Sequence, residues 1–116
     1  MDIGGLLDPA ITFCSYRRDG ELLAVGAIKL LNDSHCELKS MHTAVAARRQ
    51  GIGRAMVDHL VGLARERGLT RVSLETGSTP AFAAARALYA RAGFTETGPF
   101  GDYRESPNST FMTMEL

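Results

Sequence analysis

The stretch "RRQGIGRAM", residues 48–56, sets two arginines and a glutamine ahead of Gly51 and Gly53, directly before a segment with helical periodicity. Glycine inside a helix costs about 1 kcal/mol relative to alanine. Two glycines at a helix start therefore point to a need for bare backbone. The first turn of a helix leaves four N–H groups without intrahelical partners. Its dipole adds partial positive charge, worth about 0.3–1 kcal/mol toward an anion. Glycines let a bulky phosphate come close to those groups, and Arg48, Arg49 and Arg54 add formal charge. The stretch reads as a pyrophosphate cradle on a strand–turn–helix, built from the N–H groups of Gly51, Ile52, Gly53 and Arg54.

Two common phosphate loops do not fit. A Walker A loop places Lys and Ser or Thr after its second glycine, and Arg54-Ala55 stand there. A dinucleotide fingerprint needs a third glycine or alanine at position 56, which is Met56.

Upstream of the cradle the pattern is that of strands. "AITFCSY" (10–16) and "LLAVGAIKLL" (22–31) flank "RRDGE" (17–21), whose Asp19-Gly20 is a strong hairpin signal. "NDSH" (32–35) is a second turn, and "CELKSMHTA" (36–44) a third strand. Downstream the period changes. Ile52, Met56, Leu60 and Leu63, with Val57, Val61 and Ala64 beside them, form a helical stripe closed by Gly68. "RVSLET" (71–76) reads as a strand, and Thr79-Pro80 opens a second helix running to about Arg91, ended by Gly93. "FTET" (94–97) and "TFMTMEL" (110–116) read as strands on either side of the polar loop "GPFGDYRESPNS". A strand–helix–strand crossover makes a parallel pair and is nearly always right-handed. The expected fold class is α/β (an α+β mixed sheet): an antiparallel meander, then a βαβ unit, in a single domain over residues 1–116.

Composition sets the bounds. The chain has 116 residues, 45% hydrophobic and 22% charged, with zero formal net charge. Those fractions suit a folded domain rather than a disordered one, and nothing global favours nucleic acid. Eleven of the 13 basic residues are arginine, the side chain suited to bidentate contact with phosphate or carboxylate. Cys14 and Cys36 form no CxxC pair, and no His/Cys spacing suggests a metal. No apolar run has the length of a membrane span, and the N-terminus has no basic leader. A cytoplasmic protein without metal, membrane or nucleic-acid partner is the expectation.

The pattern left for the cradle is Arg/Gln-x-x-Gly-x-Gly/Ala, met by Arg48, Gly51 and Gly53. It resembles the coenzyme A motif of the GNAT superfamily of N-acetyltransferases. "ALYARAGF" (87–94) is similar to that superfamily's late helix-to-strand signature, with Tyr89 as its tyrosine. "ELKSMHTA", "SLETGS" and "GPFGDYRESPNSTFM" extend the likeness to a bacterial branch of small single-domain acetyltransferases, over roughly residues 11–116. Two departures stand out. The family fold begins with a strand and two helices that have no room here, which leaves one wall of the substrate site open, supplied by a partner chain or encoded upstream. In "FAAAR" Ala84 stands where the branch has proline.

The resemblance implies acetyl-CoA as co-substrate and a small or amino-acid-like amine as acceptor, joined by direct transfer. It assigns the pantetheine arm to the strand with Met41, His42 and Thr43, and the pyrophosphate to Arg48, Arg49, Gln50, Gly51, Ile52, Gly53 and Arg54. Met41 is equally a core residue. An alkylamine of pKa near 10.4 is neutral in only about one molecule in a thousand at neutral pH, so a carboxylate must take its proton. Glu37 and Glu75 are the candidates, each also a plausible ion-pair partner for Lys39 or Arg86. Tyr89 is the candidate general acid for the leaving thiolate, against a plain packing aromatic. His42 is a candidate acceptor contact against a solvent-facing strand histidine, Tyr103 and Asn108 carry no assigned role, and Arg86 or Arg104 is a candidate holder of an acceptor carboxylate, against structural pairing with Asp102 or Glu105. The competing classes are a CoA-binding module without turnover and an ancillary subunit completed in an oligomer. A homodimer is expected, because Ile11 and Phe13 would lie on an open edge strand and Leu22, Ala24 and Ile28 would lack cover.

Overall fold

A computed structural model describes residues 10–43 and 51–116, with backbone alone for 40–43. Six strands form one sheet in the order β1-β2-β3-β4-β6-β5. They are β1 (Ile11–Arg18), β2 (Glu21–Leu30), β3 (His35–Thr43), β4 (Arg71–Gly77), β5 (Thr95–Thr97) and β6 (Ser109–Glu115). All neighbours are antiparallel except β3 and β4, which run parallel and are joined through α1 (Ile52–Glu66). A 3-10 turn (Pro80–Phe82) and α2 (Ala83–Ala92) link β4 to β5.

Local chemistry explains the elements. Asp19 and Gly20 both have positive φ (52° and 81°) and close the β1–β2 hairpin in two residues, as a primed turn demands. The Asn32 side chain accepts the Ser34 N–H at 2.9 Å and shapes the β2–β3 turn. Gly68 at φ 77° follows the end of α1, and Gly93 at φ 112° ends α2.

The helical stripe predicted from residue 52 onward is the face that packs. Ile52, Met56, Val57, Leu60, Val61 and Ala64 are buried against Ile28, Cys36, Leu38, Val72 and Leu74 on one side of the sheet. Each large side chain so buried contributes about 1.5–3 kcal/mol.

Two expectations need correction. Ala24 and Ile28 do not lack cover: they are 3% and 0% exposed. The crossover helix α1 lies over β2 as well as β3, so it covers these two positions. Leu22, at 43% exposed, is the one of the three left open. Nor is the segment from Pro80 one α-helix. Phe82 N–H bonds the Thr79 carbonyl at 3.0 Å in an i→i+3 turn, and α-helical geometry starts only at Ala83. Among the described residues no helix is long and apolar enough to cross a membrane.

Candidate active site

The site begins with a defect in the sheet. On the β2 side, Val25 pairs with His42 and Ala27 with Lys39. Gly26 alone therefore faces Ser40 and Met41, a bulge that bends β3. On the β4 side, the parallel ladder stops at the Leu38–Leu74 pair. Both strands run on, to Thr43 and Gly77, each still paired with its outer neighbour. Among the described residues, no backbone hydrogen bond joins their inner edges beyond Leu38 and Leu74. The two strands part there, and a cavity of about 630 Å³ lies at the fork.

Side chains alternate across a strand, and the cavity is lined from both sides of the sheet. Leu38, Leu74, Ala85 and Tyr89 belong to the helix-covered side, and Glu37, Lys39, Glu75 and Tyr103 to the other. The opening thus runs between the two faces.

Tyr89, from α2, is 9% exposed and packs edge-on against Phe94 with ring centroids 5.9 Å apart. Burial pushes its phenol above the ordinary range, so it stays a protonated donor at neutral pH. Among the described residues its hydroxyl has no hydrogen-bond partner.

Glu37 is 4% exposed, an unusual place for a carboxylate. Its Oε2 accepts the Tyr103 hydroxyl at 2.5 Å and lies 3.8 Å from Lys39 Nζ. Of the two ion-pair partners considered for it, Lys39 is the one present. Glu75 is exposed and accepts the Ser109 hydroxyl at 2.8 Å. Arg86 pairs with neither glutamate: its Nη1 donates to the carbonyls of Gly77 (2.7 Å) and Thr79 (3.0 Å), tying α2 to the end of β4.

The helix start read as a cradle is described from Gly51 onward. Gly51 precedes α1 in the left-handed region at φ 77°. The first intrahelical bond runs from Ala55 N–H to the Gly51 carbonyl at 3.0 Å. The N–H groups of Ile52, Gly53 and Arg54 therefore have no partner within the helix. Among the described residues no side chain caps this end, and no acidic residue lies in the first turn. The Ile52 side chain is buried, which leaves only its backbone for a ligand. Arg54 is half-exposed and turned along the helix to Asp58 at 2.9 Å. Arg48, Arg49 and Gln50 lie outside the described residues, as do the side chains of Met41, His42 and Thr43.

A split parallel pair beside an uncapped glycine-led helix agrees with what comparison finds. A profile of the acetyltransferase (GNAT) family matches residues 2–94. The chain belongs to that family. YsnE of Bacillus subtilis (strain 168), an uncharacterized N-acetyltransferase, is 45% identical over 111 residues, which cover 96% of this chain and 74% of YsnE. A Klebsiella pneumoniae protein assigned as an acyl-CoA N-acyltransferase shares 30% identity, and its structure matches with a TM-score of 0.86 over 98% of this chain and 82% of that one. A GNAT family acetyltransferase from Elizabethkingia anophelis, 18% identical, has the same fold at a TM-score of 0.80 over 98% and 82% and was solved with acetyl-CoA bound. The GNAT fold binds acetyl-CoA, and the chain is an acetyltransferase of this family.

Sequence reasoning left three contributors without a place. Tyr103 and Ser109 engage the two glutamates, and the Phe82 ring lies across Gly77 at the cavity wall. The only signal for the first was an aromatic residue in a largely polar loop, which Phe100 in the same loop carries equally.

Proposed function

We propose that this enzyme moves the acetyl group of acetyl-CoA directly to the primary amine of a small acceptor, with Tyr89 as general acid and Glu37 or Glu75 as the carboxylate that takes the amine's proton. The carrying observation is the two-faced cavity, with Tyr89 on the helix side and both carboxylates on the other. In this reading the co-substrate supplies the thioester carbonyl. The unpaired inner edge of β3 from Lys39 to Thr43 pairs with its amide-bearing arm as an added strand would. The open N–H groups of Ile52, Gly53 and Arg54 take the pyrophosphate.

The amine enters from the carboxylate side and loses its proton to Glu37 or Glu75. Its nitrogen bonds to the carbonyl carbon, the carbon–sulfur bond breaks, and the nitrogen, cationic once bonded, releases its second proton to solvent to leave the neutral amide. Tyr89 gives its phenolic proton to the departing sulfur and regains one from solvent. A thiol near 8.5 and a phenol near 10 differ by a step of about 2 kcal/mol in water. Burial raises the Tyr89 phenol and raises a thiol held in the same dry surroundings, so the two move together and the step stays of that order.

A homodimer belongs to the same reading, since the outermost strand β1 leaves Phe13 47% exposed. Light scattering of the active protein tests it, and an active monomer rules it out.

The decisive experiment is Tyr89→Phe. Thiol release from acetyl-CoA is followed over a panel of primary amines: alkyl monoamines, alkyl diamines, arylalkylamines and amino acids. With the amine that wild type turns over fastest, kcat falls about 10²–10⁴-fold, while calorimetry gives an unchanged acetyl-CoA affinity. Full turnover in Tyr89→Phe returns Tyr89 to a packing role.

A further inference from the structure

The most deeply buried carboxylate of the cavity is held from outside its own strand. Glu37 sits on β3, yet its hydrogen bond comes from the β5–β6 connection, 66 residues further along the chain. That connection crosses the face of the sheet opposite α1. Phe100 and Tyr103 pack edge-on with centroids 5.2 Å apart, and Phe111 on β6 lies 5.9 Å from the first and 5.5 Å from the second. Phe100 also meets the His35 ring at 5.9 Å. His35 in turn bonds the Ser73 hydroxyl at 2.7 Å, and Ser73 bonds Thr113 at 2.8 Å. The loop is thus fastened to β3 and β6 by its rings, with one polar atom, the Tyr103 hydroxyl, set against the carboxylate.

We propose that Tyr103 is a positioning residue that orients Glu37 for the acceptor amine; this rests on the reading of Glu37 as the proton-accepting carboxylate. A carboxylate has two oxygens and about four acceptor positions. Tyr103 and Lys39 both engage Oε2. That fixes the plane of the group and leaves Oε1 to receive the proton. Without the hydroxyl, Lys39 is the one described residue still engaging Glu37, and a half-exposed lysine on the same strand is a mobile, poorly directional partner. Tyr103 is suited to permanent donation. Burial, the bond to Glu37 and the charges of Glu37 and Glu75 all hold its phenol protonated well above neutral pH.

The test is a double-mutant cycle of Tyr103→Phe and Glu37→Gln. Thiol release from acetyl-CoA is measured with the panel amine that wild type turns over fastest. Phenylalanine keeps the ring contacts with Phe100 and Phe111, so the loop retains its anchor. Tyr103→Phe is expected to lower kcat by about 10-fold or more, the scale of one hydrogen bond to a charged group, with acetyl-CoA affinity unchanged. In the Glu37→Gln background the same substitution is expected to change kcat by less than about twofold, because the function it serves is already gone.

Equal losses in both backgrounds overturn the proposal and make Tyr103 a structural residue. A rise in amine KM with kcat intact also overturns it and makes Tyr103 a binding wall. Full turnover by Glu37→Gln removes the underlying role of Glu37, and this inference falls with it. An impaired Glu37→Gln beside an undiminished Tyr103→Phe removes the inference alone.

Discussion

Gly77 ends β4 at the cavity wall, and nothing in its backbone angles demands glycine. Its neighbour does. A Cβ built there would lie 2.6 Å from Cγ and Cε2 of Phe82 and closer still to Cδ2. Cγ is the root of the ring, so Gly77→Ala forces the whole ring away. Overpacking of this kind costs about 1–3 kcal/mol. The ring is 48% exposed and can swing outward, which places the cost near the low end, about 1 kcal/mol. For a chain of this length that lowers Tm by about 4 °C. Thermal unfolding of Gly77→Ala, Phe82→Ala and the double variant measures it. With the ring removed, Gly77→Ala is expected to be neutral or slightly stabilising, through reduced freedom of the unfolded chain. The displaced ring also opens the wall that Arg86 holds through the Gly77 and Thr79 carbonyls, so thiol release falls in Gly77→Ala. An equal drop in Tm with and without Phe82 would refute the reasoning and place the constraint in the backbone.

Gly51→Val sets a branched side chain in a left-handed conformation with open space around it. It is expected to cost about 1–2 kcal/mol of stability and to weaken acetyl-CoA binding in calorimetry with the fold retained; unchanged affinity would remove Gly51 from the cradle. Burial and the nearby Arg71 hold His35 below its ordinary 6.5, against a smaller opposing effect of Glu37. As pH falls through 6.5 the unfolded chain takes up a proton that folded His35 refuses, so stability present above 6.5 declines toward the lower folded value. Urea unfolding between pH 7.5 and 5 reads that slope, and it is expected to flatten in His35→Gln; an unaltered slope assigns the effect elsewhere. Direct transfer predicts intersecting initial-velocity lines for acetyl-CoA and amine, whereas parallel lines with an acetylated protein intermediate would overturn it.

The parts of this molecule legible in the sequence are those dictated by neighbours along the chain. Asp19-Gly20 could form little but a tight hairpin, and the apolar stripe from Ile52 to Ala64 could bury only one face. Gly51 and Gly53 stood out because glycine is costly where a helix begins. Each of these signals acts over a few residues. The cover of Ala24 and Ile28 was misjudged because it comes from a helix more than twenty residues away, whose position follows from crossover handedness rather than from the strand's own pattern. Glu37 could be nominated from its place on β3 and Lys39 as its ion-pair partner, but its hydrogen-bond donor Tyr103 could not. Nothing local to "GPFGDYRESPNS" distinguishes Tyr103 from a solvated loop aromatic. Its role appears only when β6 lies beside β4 and the loop folds back across the sheet.

That long-range closure bears on the chemistry. An acyl-enzyme route needs a nucleophile in the cavity with access to the thioester. Cys36 is fully buried on the helix side, and its thiol, pushed up to about 11, is almost wholly protonated at neutral pH. Ser73 is 1% exposed and bonded to His35 and Thr113. Ser109 does line the cavity and donates to Glu75. A lone carboxylate is a weak base for a serine hydroxyl, and among the described residues no imidazole stands between Ser109 and Glu75, as serine nucleophiles require. The groups proposed for proton transfer, Tyr89 and Glu37 or Glu75, instead line one cavity from opposite sides of the sheet. In that reading a ternary complex needs the sheet only to stay parted between Leu38 and Leu74 while each face handles one proton.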